Sequence, residues 1–450
     1  MTINLPLNVQ KAISMLETSG FKAFAVGGCI RDSLMGKSPD DWDITTSATP
    51  DEMKAVFSEF HCIETGIEHG TLTVVIDSAP LEITTFRLDG EYEDNRHPKA
   101  VEFTDDLVLD LARRDFTVNA MAYSPSGGIV DPFDGQADLS NRLIRCVGEA
   151  DRRFNEDALR ILRGLRFASV LDFEIDSETA QSIHKNKDLL KNISVERVTK
   201  ELIKLLCGNG AHRILTEFAD VLFTVLPELE PMHKNSHDNP HHCFDIYEHT
   251  LFALENVPQD PVLRVAMLLH DCGKPATKTF ADDGKAHFYS HQKVSAEIAA
   301  DILLHLKVSN KFREEVLFLV NNHDRWELYE KPERMKKHLA RFGLERTLNL
   351  LKVMHADVLS QSPEYRYRLQ QIASAEQTAQ DLAALEPCLT LKSLDVNGRT
   401  LINNGIPEGK TLGAVLAVLL EEVIDEKIEN ESNSLIARAK EIYEEMKKQS

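Results

Sequence analysis

Apolar positions change their period partway along this 450-residue chain, and the change separates two kinds of structure. Residues 7–19 carry the spacing of a short amphipathic helix, and Phe24-Ala25-Val26 reads as a strand running into Gly27-Gly28. Residues 71–76 and 81–86, rich in β-branched side chains and separated by Asp77-Ser78-Ala79-Pro80, predict a hairpin. These elements predict a small α+β domain, a mixed sheet with helices. From Asn155 onward the pattern is helical to the end. Asn155 reads as an N-cap, Glu156 and Asp157 suit a first turn, and Leu159, Leu162 and Leu165 form an apolar stripe. Further helices are expected at 194–206, stopped by Gly208 and Gly210, and at 211–225, stopped before Pro227. The His-, Asn- and Pro-rich stretch 231–242 reads as a linker.

Length and composition, 42% apolar and 27% charged, predict a soluble globular protein of two to four domains. The opening MTINLPLNVQ lacks a basic, apolar signal, and no apolar run approaches the ~20 residues of a membrane helix. Seven cysteines without a CxxC pair argue against a disulfide framework or structural zinc and fit a cytoplasmic setting. The net charge of −21 excludes broad nucleic-acid affinity, so any RNA must be gripped locally, and basic residues do cluster at 142–166.

The chemistry starts at Val26-Gly27-Gly28, followed by Asp41-Trp42-Asp43-Ile44. Paired glycines let a backbone approach a triphosphate, and two carboxylates alternating with apolar residues on an extended strand aim at one spot. Oxygen ligands of this kind suit Mg²⁺ and nucleotidyl transfer, with Glu82 on a neighbouring strand as a candidate third ligand.

With these glycines and aspartates stand Cys29-Ile30-Arg31-Asp32, Thr85-Phe86-Arg87-Leu88-Asp89-Gly90, Arg113-Arg114-Asp115-Phe116-Thr117-Val118-Asn119-Ala120, the run from Glu156 to Phe167, and Ser194-Val195-Glu196-Arg197. In that order the motifs resemble the bacterial tRNA nucleotidyltransferase and poly(A) polymerase family of the polymerase β superfamily. The resemblance implies catalytic, metal-holding Asp41 and Asp43, and a nucleotide site of Gly28, Arg31, Arg114, Asp157, Arg160, Arg163 and Arg166. Arg31 and Arg114 would offer forked donors to the triphosphate, although each beside an aspartate also reads as a surface ion pair. Arg87 with Tyr92, Arg96, His97 and Pro98 reads as a loop near the site. Asp157 and Arg160, three apart on a helix, can address one base together. A carboxylate accepts from the exocyclic amine of C or A while a guanidinium donates to the adjacent ring acceptor; U and G present the reverse pattern. Alone, the pair would read as a helix salt bridge.

Farther on come His249, His270-Asp271-Cys272-Gly273-Lys274, His291, His323 and Asp357. Their order resembles the HD phosphohydrolase superfamily. It implies a second divalent metal held by His249, His270, Asp271 and Asp357, with Lys274 placed for phosphate; a degenerate, purely helical body is the alternative. The resemblance divides the chain into a nucleotidyltransferase head (1–145), an all-α neck (146–235), an HD domain (236–375) and a tail (376–450). The function it implies is addition of C, C and A to a tRNA 3′ end from CTP and ATP. CC-only or A-only addition, poly(A) synthesis, and an HD phosphohydrolase with an RNA-binding N-terminal domain stand as alternatives. No membrane partner is expected.

Overall fold

Strand alternation decides which face of the N-terminal sheet carries charge. The computed structural model describes residues 2–89, 101–331, 333–385 and 390–449; Tyr92, Arg96, His97 and Pro98 lie outside them. Strands β1 (Ala23–Val26), β2 (Asp43–Thr46), β3 (His61–Ile63), β4 (Thr71–Ile76) and β5 (Ala79–Thr85) precede a ribbon of β6 (Arg87–Asp89) and β7 (Val101–Phe103). After β8 (Ala122–Ser124) and β9 (Gly128–Val130), the mixed sheet has the order β3-β4-β5-β2-β1-β8-β9. The expected hairpin is β4–β5, turning on Asp77 and Ser78, both at positive φ, with Ala79 and Pro80 already in the strand.

Ile44 and Ile83 join Ile13, Leu16, Ile30 and Phe57 in the core between the sheet and helices Leu7–Thr18, Gly28–Leu34 and Pro50–Val56. Period-two geometry then sends the preceding residues, Asp43 and Glu82, to the opposite face. Behind that face a second apolar cluster gathers Val26, Phe86, Leu107, Leu111 and Ala122.

The helical part differs from the sequence expectation at four places. Asn155 is not an N-cap: it lies inside helix Ala150–Glu156, and its amide donates to Asp151 O at 2.8 Å. Asp157 is extended (φ −138°, ψ 102°), and its Oδ1 accepts from the Leu159 amide before helix Leu159–Leu171 begins. The expected 211–225 helix breaks at Phe218 into Ala211–Glu217 and Ala219–Val225, and the fully buried Phe218 ring stacks on His184. Short strand pairs interrupt the helices, Glu174–Ile175 beside Leu143–Ile144 and Thr279–Phe280 beside Ala286–His287. The stretch 231–242 begins where the first compact unit ends, as expected of a linker between domains, and is itself packed, buried His237 stacking on His242 at 3.7 Å between centroids.

Gly208 does more than end helix Val195–Leu206. A Cβ there would stand 2.2 Å from Ser169 Oγ, so glycine permits the close approach to helix Leu159–Leu171. The chain forms two compact units, residues 1–230 with 305–307, and residues 231–304 with 308–450. In the second unit, helices Ile246–Asn256, Pro261–Leu269 and Asn310–Asn322 and the helical stretch Glu333–Leu359, kinked at Gly343, carry much of the body. A separate apolar cluster of Leu401, Val415, Leu419, Leu435 and Ala439 knits the last three helices together.

Candidate active site

Parallel pairing of β2 with β5 sets Asp43 opposite Glu82, and antiparallel pairing of β2 with β1 sets Asp43 opposite Val26, next to Gly27. Only Asp43 of the two aspartates is on the strand; Asp41 precedes it in irregular backbone. Asp43 is accessible to solvent, as a ligand site must be, yet surrounding protein displaces enough water to push its carboxyl above the ordinary value. Arg114 opposes that rise, while the charges of Glu82 and Asp41 add to it. Crowded carboxylates of this kind form an oxygen-donor site deficient in positive charge, which fits a divalent cation. The three acids do not close into a tight triad; among the described residues the clustered ligand atoms lie elsewhere.

Gly27 is required on two counts. Its φ is +84°, and a Cβ would stand 3.1 Å from Arg114 Nη1. Arg114 itself is pinned by Asp110 at 3.6 Å, and its buried Nε has no hydrogen-bond partner among the described residues. Asp110 is fully buried and also accepts from Thr45 Oγ1, the Arg87 amide and Arg113 Nε. Nothing in the sequence singled out Asp110; its place on the polar face beneath Asp43 comes from the fold.

Arg31, Arg163 and Arg166 converge on one aromatic ring, their guanidinium carbons 5.2, 5.4 and 3.8 Å from the Phe167 ring centroid. Arg31 forks onto Asp32 and donates to Asn119 Oδ1 at 2.7 Å, so the ion pair expected of an exposed site exists but is largely buried. Asn119 in turn donates to Asp115 Oδ1, and Arg163 donates twice to Asp115 Oδ2 at 2.8 and 2.6 Å. Burial would raise the Asp115 pKa, but the Arg163 guanidinium, with help from Asn119, brings it down to about 2. Arg166 pairs with Glu201. Gly28 lies in the same corner, where a Cβ would be 3.6 Å from Arg31 Nη2.

Asp157 and Arg160 do not address one point in this arrangement. Arg160 donates to Glu156 Oε2 at 2.9 Å and to the carbonyls of Arg153 and Arg113 at 3.3 and 2.9 Å. Asp157 Oδ2 instead accepts from Arg197 Nη2 at 3.0 Å. Arg197, Asp115 and Asn119 all lay within motifs visible in the sequence, yet their pairing depends on helices separated by some forty or more residues.

The second unit holds its own cluster. His249 Nε2 lies 2.9 Å from Asp357 Oδ1, and His270 Nε2 lies 3.1 Å from Asp271 Oδ2. Lys274 Nζ reaches Asp271 Oδ2 at 2.6 Å and His237 Nε2 at 3.2 Å. Burial works against a charged His270, but Asp271 and Asp357 overcome it and drive its pKa up to about 10. His291 and His323 also face this centre, 3.3 and 3.7 Å from Asp271 Oδ1. Gly273 allows the seating: a Cβ would be 2.4 Å from Ser295 N, and the Gly273 amide donates to Ser295 Oγ.

Residues 23–145 match the poly(A) polymerase head domain family, residues 172–232 a probable RNA- and SrmB-binding site of polymerase A, and residues 284–439 the family described as putative tRNA nucleotidyltransferase domain 2. The chain is 34% identical over 422 residues to a CCA-adding enzyme of Lactobacillus delbrueckii subsp. bulgaricus, covering 93% of each. Another CCA-adding enzyme, from Levilactobacillus brevis, is 34% identical over 439 residues, with 96% of this chain and 98% of the relative covered. Among solved structures, the Bacillus stearothermophilus CCA-adding enzyme in complex with CTP superposes with TM-score 0.74 at 30% identity over 98% of both chains.

Proposed function

Given that the chain belongs to the CCA-adding enzymes, nucleotidyltransferases with a poly(A) polymerase head domain, we propose that its Asp41, Asp43 and Glu82 cluster is the site where C, C and A are joined to a tRNA 3′ end. The relatives' structures with CTP, with ATP and with tRNA name the corresponding partners. The observation that carries the assignment is the β2–β5 register, which sets Asp43 beside Glu82 under the Arg114 charge.

Nucleotidyltransferases of this family use divalent metals, and an all-oxygen donor set favours Mg²⁺ here. Bound between these carboxylates, such an ion supplies charge neutralisation for the triphosphate and lowers the pKa of the attacking hydroxyl. The protein supplies position. The RNA O3′ forms a bond to the α-phosphorus of CTP or ATP, the bond to the β-phosphate bridging oxygen breaks, and pyrophosphate leaves while the hydroxyl proton passes to solvent. Arg114, whose buried Nε has no partner among the described residues, and Arg31 donate to the phosphates. Arg163 and Arg166, ranged on Phe167 beside Arg31, border the nucleotide. Asp157 and Arg160 read the base edge by exchanging Arg197 and Glu156 for C or A.

The test uses tRNAs ending before, within and after CCA, with CTP and ATP supplied singly and together and the products sequenced. Sequential C, C and A addition is expected. Incorporation of A alone, or of C alone, would reassign the chain to a partial-addition enzyme, and an untemplated A tail to poly(A) synthesis.

A second reading concerns the other unit, where His249, His270, Asp271 and Asp357 converge with buried charge. These residues would hold a divalent cation, which would activate water for phosphoester hydrolysis, in which a water oxygen adds to phosphorus, the ester P–O bond breaks, and the alcohol leaves with the water's proton. Ring opening of 2′,3′-cyclic nucleotides to monophosphates, or phosphate release from 2′-nucleotides, abolished in Asp271→Ala, is expected. Absence of turnover with any of several divalent metals leaves a helical body only.

A further inference from the structure

One face of the helical segment 334–342 is lined with nitrogen-bearing side chains. Arg334, Lys337, His338 and Arg341 recur at intervals of three and four residues, the spacing that stacks side chains on one side of a helix, and the segment stops where Gly343 takes a φ of 79°. With Arg325 and Lys336 these residues line a cavity of about 860 Å³ inside the second unit, within the size range of small-molecule sites. Leu328, Phe342, Leu382 and Ile424 supply its apolar part. Such a concentration of positive charge stands out in a chain of net charge −21.

Ion pairs account for only part of it. Lys336 meets Glu426 at 2.8 Å, Lys337 meets Asp425 at 2.7 Å and Arg334 meets Glu327 at 3.6 Å. Five Lys and Arg side chains thus share the cavity wall with three acids, and each acid is matched to its own cation. Arg325 and Arg341 pair with no acid among the described residues, which leaves a surplus of two positive charges. His338 lines the same cavity, 6% exposed, its ring 4.7 Å from that of Phe342 and 6.4 Å from that of Phe318 between centroids. Its buried Nε2 has no hydrogen-bond partner among the described residues, so a polar atom stands at the cavity with its bonding capacity unspent. Loss of water around the buried ring, and then the charges of Arg325 and Arg341, push its pKa down to about 4, so the imidazole is neutral at physiological pH.

We propose that this cavity binds a phosphomonoester dianion carried on a planar, partly apolar body, the chemistry of a nucleoside monophosphate. Such a phosphate holds about two negative charges at neutral pH, equal to the surplus. Arg325 and Arg341 offer forked N–H groups to its oxygens. Because those oxygens only accept, they select the tautomer of His338 with its proton on Nε2 and satisfy that nitrogen. The planar part lies against Phe342 and Leu382, an aromatic ring and an aliphatic side chain that exclude water. A polynucleotide backbone suits the site less, since its diesters are singly charged and strung along a surface, whereas the uncompensated guanidiniums share a concave wall with a buried imidazole.

The test uses the full chain in excess chelator, so that neither carboxylate cluster holds metal, and titrates adenosine monophosphate by isothermal calorimetry. One site per chain is expected, with adenosine and inorganic phosphate each bound about tenfold more weakly or worse. Arg325→Gln and Arg341→Gln should each weaken the nucleotide by about tenfold, and their combination by more, while circular dichroism and C, C and A incorporation stay unchanged. Arg114→Ala, aimed at the triphosphate site of the head, should leave the calorimetric site intact. Equal affinity in the parent and the double variant would overturn the proposal, as would a site lost with Arg114→Ala. Adenosine or inorganic phosphate bound as tightly as the nucleotide would overturn the assigned ligand class. Absence of adenosine monophosphate binding would overturn the site altogether, and a fall in tRNA affinity in the double variant would then assign the two guanidiniums to RNA backbone.

Discussion

Arg197 Nη2 holds Asp157 Oδ2 at 3.0 Å, so the carboxylate that sequence spacing pairs with Arg160 is engaged from another helix. Arg197 Nη1 is buried without a hydrogen-bond partner among the described residues, which leaves the guanidinium half-used and able to steer Asp157 toward a base edge. Arg197→Ala is expected to lower the preference for the correct nucleotide by about tenfold, an effect on the order of 1 kcal/mol. Competing incorporation of CTP, ATP, UTP and GTP on tRNAs poised before C and before A measures it. Unchanged discrimination would show that Asp157 needs no positioning from Arg197.

Arg160 binds differently, to Glu156 and to two main-chain carbonyls, one of them from Arg113 in the head. Arg160→Ala removes charge-assisted bonds from a site that is largely buried, while Arg153 still pairs with Glu156 at 2.6 Å. A loss of about 2–3 kcal/mol in unfolding free energy is expected by denaturant titration. Loss of base selection without loss of stability would instead show that the base contact outweighs the structural tie.

Gly27→Ala meets both a φ of +84° and Arg114 Nη1 at 3.1 Å. The strain amounts to about 1–3 kcal/mol, and relief requires Arg114 to move. Incorporation should therefore fall more than tenfold, with a raised KM for the nucleotide, in steady-state assays. Gly20→Ala, also at positive φ (+90°) but with nothing near its Cβ, is the matched control and should retain activity.

Asp43 and Asp115 respond to pH with opposite signs. The folded-state pKa of Asp43 is raised, so its charged form disfavours folding above that pKa, and the disadvantage vanishes below the unfolded value. Without divalent metal, Asp43→Asn should melt higher than the parent at neutral pH, and the gap should close as pH falls through the ordinary carboxylate range. The same variant should be inactive.

The Asp115 pKa drops from an ordinary 3.8 to about 2, so its contribution is complete above 3.8 and is lost between there and about 2. Asp115→Asn should cost about 2–3 kcal/mol at neutral pH. Thermal melts across pH 2–7 separate the two behaviours; parallel curves for Asp115→Asn and the parent would remove the Arg163 pairing as the cause.

By itself the sequence determined the identity of the chemistry. Glycines before a strand end, aspartates spaced by one residue, the order of arginine motifs and the histidine series all reflect local needs of backbone conformation and side-chain type, which survive in a linear reading. Tertiary structure alone decided who holds whom. Helix Leu159–Leu171 starts late because Asp157 turns extended and caps it, so Asn155, a sound local cap, never serves as one. Thr45 for Asp110, Asp157 for Arg197 and Lys274 for His237 became partners only when elements remote in the chain met. Buried charges take the nearest complementary group in space whatever their separation along the chain, and spacing in sequence carries no record of that distance.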